Sequence, residues 1–248
     1  MAQGQPGADS LSPVTSSLIQ AATNLYGTAP VFWGRYFTSP TTKGTGEYHH
    51  ASENGPLNAA GIRLLPVARQ TKNVGGSGQQ GRADGALNAQ DFVETFGVAT
   101  LNAQGNQFIM TLDVEGDPEL NPDYYTGWTQ GLISTAQQMS GGAVQMLPCL
   151  YASHGHTDTW NALETAMDAG APCAGVWVAR YMDSLVSGKM GQWSDIDVTP
   201  ASPNPFPATI LAWQYAENCL HGSIDCTQTN PAIDLQNDFL QFLVLPPA

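Results

Sequence analysis

The stretch FIMTLDVE, residues 108–115, carries the pattern that decides the fold. Its continuous apolar run is typical of a strand that is covered on both faces, as in a parallel sheet. The run ends in Asp113 and Glu115, and alternate residues of a strand point to the same face. The sequence therefore predicts a buried strand that presents two carboxylates together at its carboxyl end.

Apolar runs of the same kind recur along the chain, at PVFWGRYF (30–37), IRLLPV (62–67), VQMLPCLY (144–151), GVWVARY (175–181) and ILAWQY (210–215). Helical patterns lie between them, at residues 12–26, 82–97, 121–139 and 157–170. This alternation indicates an α/β fold with a parallel sheet. Weaker strands near residues 4–9 and 231–235 bring the count to eight. We therefore predict a single (β/α)8 TIM-like barrel over residues 1–248, with a doubly wound open sheet as the alternative.

The charge balance excludes several classes of partner. The 248 residues include 21 acidic and 8 basic residues, which gives a net charge of −13. Nucleic acids and anionic membranes would not attract such a chain. No run approaches the roughly 20 apolar residues of a membrane span. The N-terminal MAQGQPGADS lacks the basic and apolar regions of a signal peptide. We expect a monomer without a cofactor.

Four cysteines leave the redox state open. Cys219 and Cys226 bracket the short polar segment CLHGSIDC, which favours a local disulfide. Cys149 and Cys173 lie at the edges of predicted strands, so a second bridge is compatible with the pattern. Buried free thiols fit the sequence equally well. Few lysines and paired cysteines together favour an exported protein.

The two carboxylates of the opening stretch point to a type of chemistry. In a parallel barrel, functional residues gather at the carboxyl ends of the strands. Two carboxyl groups in one apolar cleft acquire separated pKa values, so that one stays protonated while the other is ionised. Glycoside hydrolysis uses such a pair. The alternative is that one acid caps the next helix and the other is solvated.

Motifs in chain order strengthen the glycosidase interpretation. They are GADSLSP (7–13), FWGRYF (32–37), LDVEGD (112–117), CLYAS (149–153), VWVARY (176–181), LAWQYAENC (211–219) and AIDLQNDF (232–239). In these motifs, which span nearly the whole chain, the sequence resembles the family 25 glycoside hydrolases, which are lysozyme-type muramidases, and the related glycoside-hydrolase-like barrel domains.

The resemblance implies a role for each of four acids. Glu115 would be the general acid that protonates the glycosidic oxygen. Asp113 would lie beside it and orient the N-acetyl group of the substrate. Asp9 and Asp234 would flank the sugar as electrostatic or water-positioning groups. Attack by the N-acetyl oxygen and direct displacement by water both remain open.

Aromatic side chains near predicted strand ends are candidates for sugar stacking. The candidate substrate contacts are Tyr36, Tyr151, Tyr181, Trp213 and Tyr215. Tyr181 and Tyr215 lie nearest the strand ends, although each aromatic is also compatible with the core. Arg35 is expected to pair with a carboxylate of the site or to form a surface ion pair.

Three further signals do not change this interpretation. GSGQQG (76–81) fits a nucleotide-binding pattern, but it lies too far from the preceding strand and lacks the following acid. We expect a flexible loop there, at the mouth of the barrel. HGHTD (154–158) lacks an evident third metal ligand, so we predict no metal. His154 or His156 is expected to line the mouth of the barrel, just past Tyr151. The pair HH at 49–50 is expected in a solvated loop.

The sequence thus predicts a hydrolase that cleaves β-1,4 linkages of amino-sugar glycans such as peptidoglycan. The main alternative is a glycan-binding barrel that does not catalyse and uses the acids as hydrogen-bond acceptors. A structural or partner-binding barrel with incidental acids is the third interpretation.

Overall fold

The protein is an eight-stranded α/β barrel. The computed structural model describes residues 3–37, 47–182 and 189–248. The strands close in sequence order, so that each pairs with its two neighbours along the chain and β8 pairs with β1. They are β1 (Pro6–Asp9), β2 (Phe32–Phe37), β3 (Arg63–Arg69), β4 (Gln107–Val114), β5 (Gln145–Ser153), β6 (Gly175–Ala179), β7 (Ile210–Asn218) and β8 (Ile224–Thr229). The predicted barrel is confirmed.

Helices cover the outside of the first five connections. They are α1 (Ser16–Tyr26), α2 (His50–Ala60), α3 (Gly78–Phe96), α4 (Val98–Asn102), α5 (Pro122–Ser140) and α6 (Thr157–Asp168). Local sequence explains several boundaries. The Thr15 hydroxyl accepts a hydrogen bond from the Leu18 amide, and Asn121 caps α5 ahead of Pro122. The four predicted helices are confirmed with shifted ends.

Two segments that were expected to be loops are helical. Helix α2 begins at His50, although Gly55 and Pro56 within it weaken the helical pattern. Helix α3 begins at Gly78, and the Ser77 hydroxyl accepts a hydrogen bond from the Gln80 amide. GSGQQG (76–81) is therefore the start of a helix, and the expectation of a flexible loop is wrong.

The glycines of α3 allow a close approach to α5. A Cβ atom at Gly81 would lie 2.1 Å from the Tyr124 carbonyl oxygen, and one at Gly85 would lie 2.1 Å from that of Trp128. From the other side, a Cβ at Gly127 would lie 1.9 Å from the Gly78 carbonyl oxygen. Only glycine permits backbones to approach so closely. The glycines of α3 and α5 therefore allow these two helices to pack closely against each other.

The eighth strand differs from the prediction in place and direction. It spans Ile224–Thr229 and runs antiparallel to both β1 and β7. The segment near 231–235, expected as the closing strand, leads into a π-helical turn at Leu235–Phe239. Strand β8 is polar because its buried side chains bind the N-terminal segment: Gln228 accepts from the Gly4 amide, and Thr229 from the Gln5 amide. A polar strand of this kind lacks the apolar signal on which the prediction depended.

The apolar side chains form two layers. One cluster fills the barrel and includes Phe32, Leu65, Val67, Ile109, Cys149, Trp177 and Ala212. The other lies between the strands and the outer layer and includes Trp33, Leu64, Phe108, Leu150, Trp160, Trp213 and Tyr215. Alternate residues along each strand belong to different clusters, as the period of two requires. This alternation determines which predicted site residues face the interior.

All four cysteines are free thiols, so of the two alternatives that the sequence left open, the structure has the free thiols and neither disulfide is formed. The Cys173 thiol contacts the Gly175 carbonyl at 3.4 Å, and the Cys219 thiol contacts the Glu217 carbonyl at 3.9 Å. These two thiols therefore interact with nearby backbone. The cysteines lend no support to an exported location.

Candidate active site

Strand register gathers acids and aromatic side chains at one end of the barrel. Asp9 pairs with Gly34 on β2 and with Asp225 on β8. Asp113 pairs with Arg69 on β3 and with Tyr151 on β5. These positions lie at the carboxyl ends of the parallel strands and at the amino end of antiparallel β8. We call this end of the barrel the mouth.

Asp113 forms the acidic floor of the mouth. Its side chain is 1% exposed, and neither carboxyl oxygen has a hydrogen-bond partner. Burial raises its pKa well above the usual value, the nearby Glu115 raises it further, and Arg69 acts in the opposite direction. A buried carboxyl group with open acceptor positions is costly for the fold. The arrangement favours a ligand that supplies hydrogen-bond donors at this point.

Glu115 lies at the rim, one step beyond β4. Partial burial of its carboxyl group raises its pKa, Arg69 and His156 lower it, and Glu217 raises it. A cleft of about 170 Å³ opens beside it and is lined by Val114, Glu115, Gly116, Tyr151, Ser153, His156, Ala179 and Tyr181. An acid with a raised pKa beside an open cleft is suited to proton donation. Asp113 and Glu115 are thus held together, as the sequence predicts.

Asp9 is the second buried acid of the mouth and is 5% exposed. Burial raises its pKa well above the usual value, and so do the negative charges of Asp225, Asp113 and Glu115. Its position depends on a glycine, because a Cβ at Gly34 would lie 2.9 Å from the Asp9 Cβ. Asp9 therefore lies in the mouth near Asp113 and Glu115, as the sequence predicts.

The fourth acid of the mouth is Asp225, at the start of β8. Burial raises its pKa, the Asn218 backbone amide lowers it by a 2.7 Å hydrogen bond, and Glu217 and Glu115 raise it. Sequence reasoning missed this residue because its segment, CLHGSIDC, was interpreted as a disulfide loop. The available signal was an acid just before a short alternating run, in IDCTQT (224–229).

Asp234 lies outside the mouth, so its expected place on the closing strand is wrong. Its carboxylate accepts hydrogen bonds from the backbone amides of Gln236 and Asn237 at the start of the π-helical turn. The Asn237 side-chain amide also donates to it, and these bonds lower its pKa. Asp234 is a helix cap that is exposed to solvent.

Arg35 is also outside the mouth. It points away from the barrel interior and is fully buried in an ion pair with Glu53 of α2, at 2.8 Å and 3.0 Å. Glu53 accepts two further bonds from the Val14 and His49 amides, at 2.8 Å each. Arg35 therefore pairs with neither a mouth carboxylate nor a surface acid. This pair anchors α2 to the strands.

Three of the five aromatic candidates reach the mouth. Tyr151 and Tyr181 line the cleft beside Glu115, and Tyr181 is 47% exposed. Tyr36 is half-buried, with the Arg69 guanidinium carbon 5.1 Å from its ring centre. Trp213 and Tyr215 are fully buried in the outer cluster and have ring centres 5.7 Å apart. Their expected contact with substrate is wrong, because their strand positions face outward.

The mouth also contains Gln214, which the sequence analysis did not select. Gln214 is buried between Tyr151, Tyr181, Asp9 and Asp225 and hydrogen-bonds to all four. It belongs to the motif LAWQYAENC, from which only its neighbours Trp213 and Tyr215 were selected.

His156 lines the cleft, in agreement with the expectation that one histidine of HGHTD lies at the mouth. Its Nδ1 atom is buried without a hydrogen-bond partner.

Within residues 3–37, 47–182 and 189–248, no group of three histidine, cysteine, aspartate or glutamate side chains is arranged to hold a metal ion. Within the same ranges, no helix has the length and hydropathy needed to cross a bilayer. The mouth contains acids with raised pKa values, a cleft and aromatic side chains.

Comparison with known proteins finds similar folds among solved structures but no similar sequence family. No family model and no curated sequence matches the chain. Solved structures do resemble it. An uncharacterized protein from B. stearothermophilus has a TM-score of 0.67 at 20% sequence identity, and the match covers 97% of this chain and all of that one.

Two other solved structures with a similar fold are an endolysin catalytic domain and a glycosyl hydrolase. The catalytic domain of endolysin ply40, from a bacteriophage of Listeria monocytogenes, has a TM-score of 0.56 at 17% identity, covering 98% of this chain and 99% of that one. A family 25 glycosyl hydrolase from Bacillus anthracis has a TM-score of 0.50 at 13% identity, covering 95% and 93%. The chain shares the fold of these enzymes. At such identities the likeness concerns the fold alone.

Proposed function

We propose that the protein is a glycoside hydrolase that cleaves β-1,4 linkages in amino-sugar glycans such as peptidoglycan. The observation that carries the proposal is the pairing of Asp113 with Glu115: one carboxyl group is buried with open acceptor positions, and the other lies beside a cleft with a raised pKa. The shared fold with an endolysin catalytic domain and a family 25 glycosyl hydrolase agrees with it.

Glu115 is the general acid of this proposal. Its raised pKa favours the protonated form compared with an ordinary glutamate, and the cleft leaves room for a glycosidic oxygen. Protonation of that oxygen lets the sugar leave as a neutral alcohol. Arg69 and His156 lower the pKa and stabilise the carboxylate that forms after the proton has left.

Asp113 is the acceptor for the substrate in this proposal. Its unpartnered oxygens would accept the N–H of an acetamido group, which turns the acetamido oxygen toward the anomeric carbon. That oxygen could then attack without a nucleophile from the protein, and a water molecule held by Asp9 and Asp225 is the other route. Any carboxyl group of the mouth that is ionised would stabilise the positive charge that develops on the sugar.

Tyr181 and Tyr151 complete the proposed site. The exposed ring of Tyr181 offers an apolar face to a sugar ring, and the hydroxyl of Tyr151 is fixed by its hydrogen bond to Gln214. Peptidoglycan lies outside the cytoplasm, so this function would require the protein to be exported. The net charge of −13 would not attract an anionic wall polymer at long range.

The test compares wild type with Glu115→Gln on peptidoglycan and on chitin oligomers, with mass spectrometry of the released fragments. We expect fragments from wild type and a loss of about 100-fold or more in the variant, since a general acid contributes that much. Glu94→Gln is the matched control, because Glu94 is exposed on α3 and makes the same change in net charge.

The same experiment separates the rival interpretations. A barrel that only binds glycans would sediment with the wall material and release nothing in any of the three forms. A barrel with incidental acids would neither sediment nor cleave. Either result would contradict the hydrolase proposal.

A further inference from the structure

Gln214 occupies the centre of the mouth and is 2% exposed. Its carbonyl oxygen accepts hydrogen bonds from the hydroxyls of Tyr151 and Tyr181, the latter at 3.3 Å. Its amide nitrogen donates to Asp9 Oδ1 and to Asp225 Oδ2, at 3.3 Å each. An amide has two acceptor sites and two N–H donors, so all of its hydrogen-bonding capacity is used.

The two tyrosines determine the orientation of this amide. Because their hydroxyls occupy the carbonyl oxygen, the amide nitrogen is directed at the two carboxylates. Gln214 lies on β7, Tyr151 on β5 and Asp225 on β8, so the amide joins strands that lie on the two sides of β7. It also connects the cleft beside Glu115 with the smaller cleft of about 80 Å³ that Asp9 and Asp225 line.

The hydrogen bond from Gln214 affects the ionisation of Asp9. Asp9 is buried among other acids, each of which opposes its negative charge, whereas the hydrogen bond from Gln214 lowers its pKa. The titratable groups facing Asp9 are Asp225 of β8, Asp113 and Glu115 at the end of β4, Tyr36 of β2, Tyr151 of β5 and Tyr181. Arg69 faces Asp113. Because the Gln214 amide is neutral, it favours the carboxylate form of Asp9 without adding a positive charge, which would also lower the pKa of Glu115.

We propose that Gln214 is a positioning residue, which holds the carboxylates of Asp9 and Asp225 as oriented acceptors and couples them to the tyrosines of the substrate cleft. This role rests on the proposed function in so far as it concerns turnover. A sugar that stacks on Tyr181 and moves its hydroxyl would change the hydrogen bonding of Gln214 and therefore of both acids. Through the Gln214 amide, substrate binding would thus affect the ionisation of Asp9 and Asp225.

The first test replaces Gln214 by Met, which keeps the length of the side chain and removes both donors and the acceptor. We expect the apparent titration of the Asp9 and Asp225 pair to move to higher pH, measured by carbon NMR of labelled aspartate side chains. We also expect kcat to fall about tenfold or more, KM to stay within about threefold, and the acidic limb of the pH profile to move upward.

Gln70→Met is the matched control. Gln70 is 1% exposed at the end of β3, and its amide donates to Asn88 on α3 at 3.1 Å, away from the mouth acids. It measures the general cost of replacing a buried glutamine by methionine. We expect it to affect the melting temperature and to leave the aspartate titration and the pH profile unchanged.

A second variant covers the case in which Gln214→Met does not fold. Tyr181→Phe removes one hydroxyl donor from the Gln214 carbonyl, and its ring is 47% exposed, so folding is not at risk. We expect an upward shift of the aspartate titration of the same sign and smaller size. An unchanged titration in the variant or variants that fold would overturn the proposal.

The titration also separates this proposal from the proposed function. If wild type cleaves no glycan while Gln214→Met still moves the aspartate titration upward, the positioning role stands and the hydrolase proposal fails. If wild type cleaves and the folded Gln214→Met keeps the wild-type kcat and pH profile, the hydrolase proposal stands and the positioning role fails.

Discussion

Replacing Asp113 by Asn should make the stability of the protein less dependent on pH. The carboxyl group is 1% exposed without hydrogen-bond partners, and burial raises its pKa well above the usual 3.8. The protonated form therefore favours the folded state. This contribution is fully present below pH 3.8 and is lost as the pH rises through the pKa of the folded state.

The magnitude follows from proton linkage. Between pH 3.8 and the folded pKa, the folded chain holds one more proton than the unfolded chain at this residue. One such proton changes the free energy of unfolding by about 1.4 kcal/mol per pH unit, downward as the pH rises. Asp113→Asn removes that slope. Since Asp113 also raises the pKa of Asp9, the substitution should shorten the range over which Asp9 destabilises the fold.

Urea unfolding followed by circular dichroism from about pH 4 to pH 7 measures the effect. The stability of Asp113→Asn relative to wild type should increase with pH over this range and become constant above the folded pKa. Asp234→Asn is the control, because hydrogen bonds lower the pKa of Asp234 and its contribution is lost in the opposite direction, as the pH falls. A difference between Asp113→Asn and wild type that stays constant across the range would refute the reasoning.

Two further pairs of variants test the fold and the corrected site. Gly81→Ala should destabilise the protein by about 1–3 kcal/mol in urea unfolding, since its Cβ would lie 2.1 Å from the Tyr124 carbonyl oxygen. Gly55→Ala in α2 has open space around it and should stabilise by about 0.5–1 kcal/mol; equal effects would contradict the close packing of α3 on α5. On an active substrate, Asp225→Asn should lower kcat about tenfold or more and Asp234→Asn should leave it unchanged. The reverse order would restore the sequence-based assignment.

Sequence alone predicted the α/β fold with a parallel sheet and the central pair of acids. Continuous apolar runs alternating with helices predict a parallel sheet, and an i, i+2 pair at the end of one run must share a face. Both inferences depend on local periodicity, which can be recognised from residues that are close together in the sequence. The placement of Asp113 and Glu115 at the mouth needed no tertiary information beyond the strand itself.

Tertiary structure decided the remaining members of the site. Strand β8 is polar because it pairs on both sides and binds the N-terminal segment, so its apolar signal is absent and Asp225 was missed. Trp213 and Tyr215 have the residue types of a sugar site, yet their strand positions turn them outward. Arg35 depends on Glu53, 18 residues away on a helix that the sequence did not predict.

The physical reason is the range of the interactions involved. A strand's period is set by its own backbone, whereas the direction of β8 and the face of β7 that looks inward are set by closure of the barrel. Gln214 shows the difference most clearly: its hydrogen bonds join β7 to residues at the ends of four other strands, and nothing within LAWQYAENC indicates them. The sequence determines which strand ends carry acids, and closure of the barrel determines which of them meet.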